Sequence, residues 1–229
     1  MSDTPNCIGF IMDGNRRWAK KHNLPKIEGH KKGGEVFEEV VKYLVEQKIS
    51  HGIFYAFSTE NWNREETEVT DLLRVFSEGI AKISKLIHDE ETKLNVRVRF
   101  VGNLEKFDGE LLGQLKSIEK ETKDFTETTI WIALSYGSRL EITEAVNKAI
   151  EKGQPVTETD FSRLLWTDGM PDPDLIVRTG GQKRLSNFLL WQAAYSELIF
   201  LDEYWPDFNH ETLARVLEDF QSTKRNFGK

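Results

Sequence analysis

The chain has 229 residues and a formal charge of −7, from 31 basic and 38 acidic side chains, so the basic surface that sequence-independent nucleic-acid binding needs is not expected. Its single cysteine, Cys7, excludes an internal disulfide framework and a cysteine-rich zinc site. No apolar run reaches ~18 residues and Met1–Asn6 lacks the basic start of a signal peptide, so one cytoplasmic domain over 1–229, without a membrane-spanning helix, is the expectation.

Strand-like and helix-like segments alternate from end to end. Cys7–Met12 is a short apolar run of strand length. Val36, Phe37, Val40, Val41, Leu44 and Val45 recur at helical spacing, and His51–Ser58 reads as a buried strand. Leu72, Leu73, Phe76, Ile80, Ile83 and Ile87 form a long helical stripe with charge opposite. Asn95 to Gly102 alternates like a strand, Leu104 to Phe125 is helical in composition, Thr129 to Tyr136 is a strand and Leu140 to Ile150 a helix. Asp174–Val177 predicts a strand, Phe188 to Tyr195 a helical segment, Leu198–Leu201 a last strand, and Leu213 to Phe220 a closing amphipathic helix. The pattern predicts a single α/β domain with a largely parallel central sheet flanked by helices, whose ligands gather beyond the carboxyl ends of the strands.

Three segments at such strand ends carry chemistry. In Met12-Asp13-Gly14-Asn15-Arg16-Arg17-Trp18 a carboxylate ends a strand, a glycine turns the chain and a helix begins, with exposed N–H groups and two arginines to attract an anion. Asp13 would repel a phosphate unless it holds a hard cation such as Mg²⁺; the plain alternative is a helix N-cap. In Arg178-Thr179-Gly180-Gly181-Gln182-Lys183-Arg184-Leu185-Ser186 paired glycines and two arginines suit a second anion nest, or a solvated glycine turn. Phe57-Ser58-Thr59-Glu60-Asn61-Trp62-Asn63-Arg64 packs polar residues and a tryptophan at a strand end, and suits either a ligand site or a capping loop, with Ser58 or Thr59 as cap, for the helix that begins near Glu65. Two anion sites and one hard-cation ligand suggest two phosphorylated substrates or one large one. No Walker loop, G-x-S-x-G elbow or H-E-x-x-H occurs.

The segments IMDGNRRWAK, FYAFSTENWNR, DLIVRTGGQKRLSNFLLWQ and AYSELIFLDEYWPDF, in that order from about Cys7 to Phe208, resemble the cis-prenyltransferases, with bacterial undecaprenyl diphosphate synthases the nearest type. The resemblance implies repeated cis condensation of isopentenyl diphosphate onto farnesyl diphosphate, a Mg²⁺ cofactor, a homodimer and a lipid-carrier product for cell-wall polysaccharides. It also implies peripheral contact with the inner face of the membrane for product release. It makes Asp13 the Mg²⁺-associated catalytic carboxylate and Gly14, Asn15, Arg16 and Arg17 the allylic diphosphate loop, with Trp18 beside it and His30 in the same pocket. Lys26 stands where an arginine is usual, which keeps the charge but loses the fork. Ser58, Thr59 and Glu60 match a substrate-contacting turn, Asn61 the residue proposed as proton acceptor, and Trp62 and Arg64 further contacts. Arg178, Arg184 and Ser186, with Leu185 between the last two, match the isopentenyl diphosphate site, and Glu197 a second Mg²⁺ ligand. Ser135 and Ser138 depart from the family's usual Asn-Tyr-Gly-Gly-Arg.

An amide is a weak base, so Asn61 is expected to position a proton route rather than to take the proton. The stripe from Leu72 to Ile87 is expected either to wall a tunnel for the growing chain or simply to pack the core. A trans-prenyltransferase would carry DDxxD motifs, which are absent. A non-catalytic partner subunit would be expected to lose Asp13, Asn61 or Glu197, all of which are present. A phosphate-binding regulatory module is the remaining alternative, separable by a turnover assay.

Overall fold

The structure, a computed structural model, describes residues 4–88 and 94–222. Met1–Asp3, the start of the segment read against a signal peptide, lie outside the described residues. Six parallel strands form one sheet among them: β1 (Cys7–Ile11), β2 (His51–Ser58), β3 (Val96–Val101), β4 (Thr128–Tyr136), β5 (Leu175–Arg178) and β6 (Glu197–Phe200), in the order β3-β4-β2-β1-β5-β6. Seven α-helices accompany them: α1 (Asn15–Lys21), α2 (Lys26–Glu46), α3 (Glu66–His88), α4 (Gly109–Glu121), α5 (Ser138–Glu151), α6 (Glu158–Ser162) and α7 (His210–Ser222).

Strand residues alternate between two packed faces, which is why the strands read as continuous apolar runs. Ile8 and Phe10 join the larger core with Val40 and Leu44 of α2, Leu72 and Ile80 of α3, Leu115 of α4 and Leu213 and Val216 of α7. Cys7 and Ile11 face the other way, toward Ile53, Trp131, Ile176 and Phe188. Burial drives the Cys7 thiol far above its usual range, so it is a core residue and not a nucleophile.

β1 lies between β2 and β5, so the chain builds outward on one side of β1 and later on the other. That reversal opens a crevice at the carboxyl ends of β1 and β5, the position where open parallel sheets bind ligands.

Two details differ from the sequence reading. The Leu104–Phe125 stretch divides into a 3₁₀ turn at Leu104–Lys106 and α4, where Asp108 caps by accepting from Leu111 N–H at 2.8 Å. The Phe188–Tyr195 segment is a series of turns, not a helix. Ser186, Asn187 and Leu189 have φ of 51°, 66° and 48°, left-handed values that interrupt any helical hydrogen-bond ladder.

Candidate functional site

Asp13 leaves β1 at the crevice and is not an N-cap: Gly14 occupies that position and no side chain caps α1. Gly14 has φ 113°, and a Cβ there would meet Tyr204 Cδ1 at 2.7 Å, so the turn requires glycine. Arg17, one helical turn on, pairs with Asp13 Oδ1 at 3.0 Å and donates to the Gly180 carbonyl at 2.7 Å. Its guanidinium lies over the Tyr204 ring, 5.2 Å from the centroid. Arg178, at the end of β5, donates from Nη2 to Asp13 Oδ2 at 2.9 Å and from Nη1 to Ser186 Oγ at 2.7 Å and to the Arg184 carbonyl. Thr179 Oγ1 donates to the Asp13 carbonyl at 2.7 Å. The two segments read as separate anion sites therefore meet: one arginine from each grips the same carboxylate. A Cβ on Gly180, whose φ is 86°, would strike the Arg17 guanidinium at 2.5 Å.

A second carboxylate, Glu68 in the first turn of α3, gathers three cations: Arg64 at 2.9 Å, Lys26 at 3.1 Å and Arg16 at 3.2 Å. Burial alone would raise this carboxyl, but the Lys26 hydrogen bond and the charges of Arg16 and Arg64 overcome it and hold it below its usual value. His30 sits among these groups. Burial first and the Arg64 charge second push its pKa down to about 4, so the imidazole is neutral near pH 7. The His30 Nε2 and Arg178 Nε atoms are buried without a hydrogen-bond partner among the described residues, although both side chains border the same cavity. Buried polar atoms of this kind are rare unless a ligand or water completes them.

The Ser58–Arg64 segment is a 3₁₀ turn, Thr59–Asn63, at the end of β2. The register of β2 against β4 shifts after Tyr55, which re-aims the strand end. Asn61 Oδ1 accepts from Ser58 N–H at 3.1 Å, as part of a capping box with Ser58, and Asn61 lines the cavity. Trp62 Nε1 donates to Ser135 Oγ at 2.9 Å, and Ser138 Oγ accepts from Leu190 N–H at 2.9 Å, so both serines that depart from the family pattern hold neighbouring loops. Glu60 accepts from Asn187 Nδ2 at 3.0 Å, tying this turn to the loop after β5.

All of this crowns a cavity of about 1110 Å³. Its mouth includes Asp13, Arg16, Arg17, Arg178, Ser58 and Asn61. Its body is apolar, between α2 and α3 and the sheet face carrying Phe100, Ile132 and Leu134. On the α3 stripe, Leu72 and Ile80 are core residues, as the packing alternative expected, and they also line the cavity.

Gly14, Asn15, Lys26, His30, Arg64 and Ser186 also border this cavity. Trp18 turns away, donating to Asp207 Oδ1 at 2.6 Å and packing on His22. Thr59, Glu60, Trp62, Arg184 and Leu185 are not among the residues lining the cavity; Arg184 donates to Gln182 Oε1 at 2.7 Å and Leu185 packs on the smaller core. Glu197 begins β6 opposite Leu175, which in turn is level with Ile8. It therefore sits at the amino edge of the sheet, not with Asp13, within one protomer. Thr179, Tyr204, Asn187 and Glu68 were missed from sequence; a glutamate three residues into a helix start gives no sign of the cations that will surround it.

No group of three or more His, Cys, Asp or Glu able to hold a metal occurs among the described residues. Asp13 alone at the mouth, beside anion-binding cations, fits Mg²⁺ that takes one or two carboxylates and completes its shell with substrate phosphate oxygens and water. It does not fit a resident all-protein cation cage.

Residues 11–228 match the prenyltransferase family model for undecaprenyl diphosphate synthases. The isoprenyl transferase of Aquifex pyrophilus is 44% identical over 98% of this chain and 96% of its own, and that of Thermotoga maritima 42% identical over 98% and 97%. Among solved structures, a lavandulyl diphosphate synthase from Lavandula x intermedia in complex with dimethylallyl diphosphate superposes with a TM-score of 0.93 at 28% identity, covering 99% of both chains. A probable undecaprenyl diphosphate synthase from Campylobacter jejuni gives 0.82 at 30%, covering 100% of both. By sequence and by fold, this chain belongs to the undecaprenyl diphosphate synthase family of prenyltransferases.

Proposed function

We propose that the chain extends farnesyl diphosphate by repeated cis addition of isopentenyl diphosphate, with Mg²⁺, to a long polyprenyl diphosphate of the undecaprenyl class that serves cell-wall polysaccharide synthesis. The observation that carries this reading is one cavity with a cation-rich mouth and a long apolar body. A diphosphate needs the first and a growing hydrocarbon chain the second. The apolar lining follows α3 from Leu72 to Ile83, about three turns, which suits a chain that lengthens.

Arg17 and the Asn15–Arg17 start of α1 hold the allylic diphosphate, and Arg178 with Ser186 holds that of isopentenyl diphosphate. When bound to Asp13 and the diphosphate oxygens, Mg²⁺ would supply charge stabilisation for the departing diphosphate. Arg17, with its neighbour Arg16, adds to that stabilisation as the allylic C–O bond breaks. The alkene of isopentenyl diphosphate then attacks the allylic carbon, and the cation formed loses a proton. Asn61, with its oxygen already engaged by Ser58 N–H, presents a donor and orients a phosphate oxygen that takes this proton. The Arg178–Asp13 pair keeps the two substrate subsites in contact.

The active form is proposed to be a homodimer built on the β6 region. β6 is an edge strand, and Leu198 within it and Leu190 and Tyr195 before it in the chain are 42%, 41% and 79% exposed, an apolar surface that soluble chains usually cover. Glu197, remote from Asp13 in its own protomer, is proposed to help hold Mg²⁺ in the assembled dimer. Among the described residues no helix is long and apolar enough to cross a membrane, so contact with lipid is proposed to be peripheral.

The test is incubation with farnesyl and isopentenyl diphosphates, with Mg²⁺ or with chelator, and reversed-phase chromatography and NMR of the product. Long cis-chains that vanish with chelator are expected. Short all-trans products, or full activity in chelator, would refute the corresponding part.

A further inference from the structure

The apolar body of the cavity is not sealed. The exposed side chains Lys31, Glu35, Glu78 and Lys82 border the same space as Ile132 and Leu134, which are 7% and 1% exposed. The cavity therefore breaks the surface along the seam between α2 and α3.

The two helices run side by side in the same direction and are tied by ion pairs at two levels. Lys26 meets Glu68 at 3.1 Å near the mouth, and Lys82 meets Glu38 at 3.5 Å farther along. These ties lie roughly 18 Å apart along α2 and roughly 21 Å apart along α3 at helical rise. Between them each helix carries a glycine that borders the cavity, Gly34 and Gly79. The neighbouring glycines of α2 are required by packing: a Cβ on Gly33 would press on Trp205 Cδ1 at 2.9 Å, and one on Gly29 would press on Asn15. At Gly34 and Gly79 a Cβ would meet nothing within 4 Å. Glycine is a poor helix former, so two helix-interior glycines without a packing reason, one on each helix and both bordering the cavity, mark space that is kept clear.

We propose that this seam is a lateral portal for the product's hydrocarbon tail, resting on the elongation reading above. Gly34 and Gly79 hold it open, and the two ion pairs tie its ends. The tail leaves sideways toward a lipid phase while the diphosphate stays at the mouth. Exit through the mouth would drag a long apolar chain past Arg16, Arg17, Arg178 and Asp13, whereas at the seam the methylene stems of Lys31 and Lys82 can cover hydrocarbon with their ammonium groups in water. Release of the product then depends on the width of the seam.

The test compares Gly34→Leu and Gly79→Leu with Gly113→Leu, a control on α4 whose surroundings are equally open but which lies outside the cavity. Each is assayed with farnesyl and isopentenyl diphosphates and Mg²⁺, with and without detergent micelles. For the two seam variants the multiple-turnover rate should fall about tenfold more than the rate of the first condensation, as expected when release limits turnover. Their products should also shorten, and Gly113→Leu should behave as the parent. Gly79→Cys, folded first and then capped with a bulky maleimide, gives the same block without a folding burden, because Cys7 is 0% exposed and out of reach. Lys82→Met, which cuts one tie, should instead raise the detergent-free rate. Seam variants and capped Gly79→Cys that match Gly113→Leu in rate and product, beside an active parent, would overturn the portal alone. A parent chain that condenses nothing would overturn the elongation reading and the portal with it.

Discussion

Asp13 and Glu68 are both carboxylates ringed by cations, but only Asp13 lines the large cavity, and the two are built differently. Asp13 is 31% exposed, held by two arginines from β5 and α1, and its backbone is pinned by Thr179 and Trp205. Glu68 is 11% exposed and binds three cations from α1, α2 and the turn before α3. The more buried and more fully satisfied carboxylate joins elements together; the more open one, on the rigid sheet, is left available to a ligand. Surrounding charge alone does not distinguish structure from chemistry here. Exposure toward the cavity and rigidity of the supporting backbone do.

The largest effect should separate the two. Asp13→Ala is expected to lower kcat/KM by at least ~10²-fold, the scale of losing a principal electrostatic group in a transition state. Its melting temperature should fall as well, because the buried Arg178 loses its carboxylate partner, so the kinetic loss is read on the folded fraction. Near-parental turnover would place Asp13 with Glu68 as a structural residue.

Next come the two arginines on Asp13. Arg178→Ala should mainly raise KM for isopentenyl diphosphate and Arg17→Ala should mainly impair use of the allylic substrate, each by about 1.5–3 kcal/mol for a lost charged hydrogen-bond set. Arg178, 4% exposed, should also cost stability, because Asp13 and Ser186 lose a buried donor. Equal effects of both variants on both substrates would show that the subsites do not divide at Asp13.

Glu68→Gln tests the other side of the comparison through acid stability. The native carboxyl lies below its usual 4.5, so its stabilising contribution is present above about that pH and is lost as pH falls through the lower folded value. The variant should melt earlier than the parent at neutral pH and converge with it in acid, followed by thermal melts across pH. A constant gap at all pH values would mean that the ion pairs contribute nothing.

The smallest effect concerns His30. Its folded pKa is depressed to about 4 from 6.5, so the unfolded chain binds more protons between those values and stability rises with pH in that window. His30→Gln should flatten that rise while leaving the profile above pH 7 unchanged in slope. An unaltered slope would place the imidazole in solvent rather than among Arg16, Arg64 and Glu68.

Much of the fold was legible before any coordinates. All six strands coincide with predicted segments to within a residue or two: five read as apolar runs, as parallel strands covered on both faces do, and the edge strand β3 as the alternating VRVRFV pattern. The short helix α6 was not foreseen, since five residues show no periodicity. Phe188–Tyr195 was misread because an apolar stretch does not reveal left-handed backbone at Ser186, Asn187 and Leu189. Of the site, the glycine-bearing strand ends at Asp13 and Arg178 were visible. Their meeting was not, for 165 residues separate them and only the β1–β5 pairing brings them together.

The sequence by itself determined the alternation of strand and helix, the motifs at the strand ends and, through them, the family. These depend on local pattern: apolar period, turn residues and charges a few positions apart. Tertiary structure alone decided that two anion segments form one mouth, that Trp18 packs on His22 and Asp207 instead of lining it, that Glu197 sits at the opposite edge of the sheet, and that a charged helix start holds a three-cation knot. Each of these turns on which side chain meets which across long stretches of chain. That is fixed by sheet order and helix packing, which no local pattern encodes.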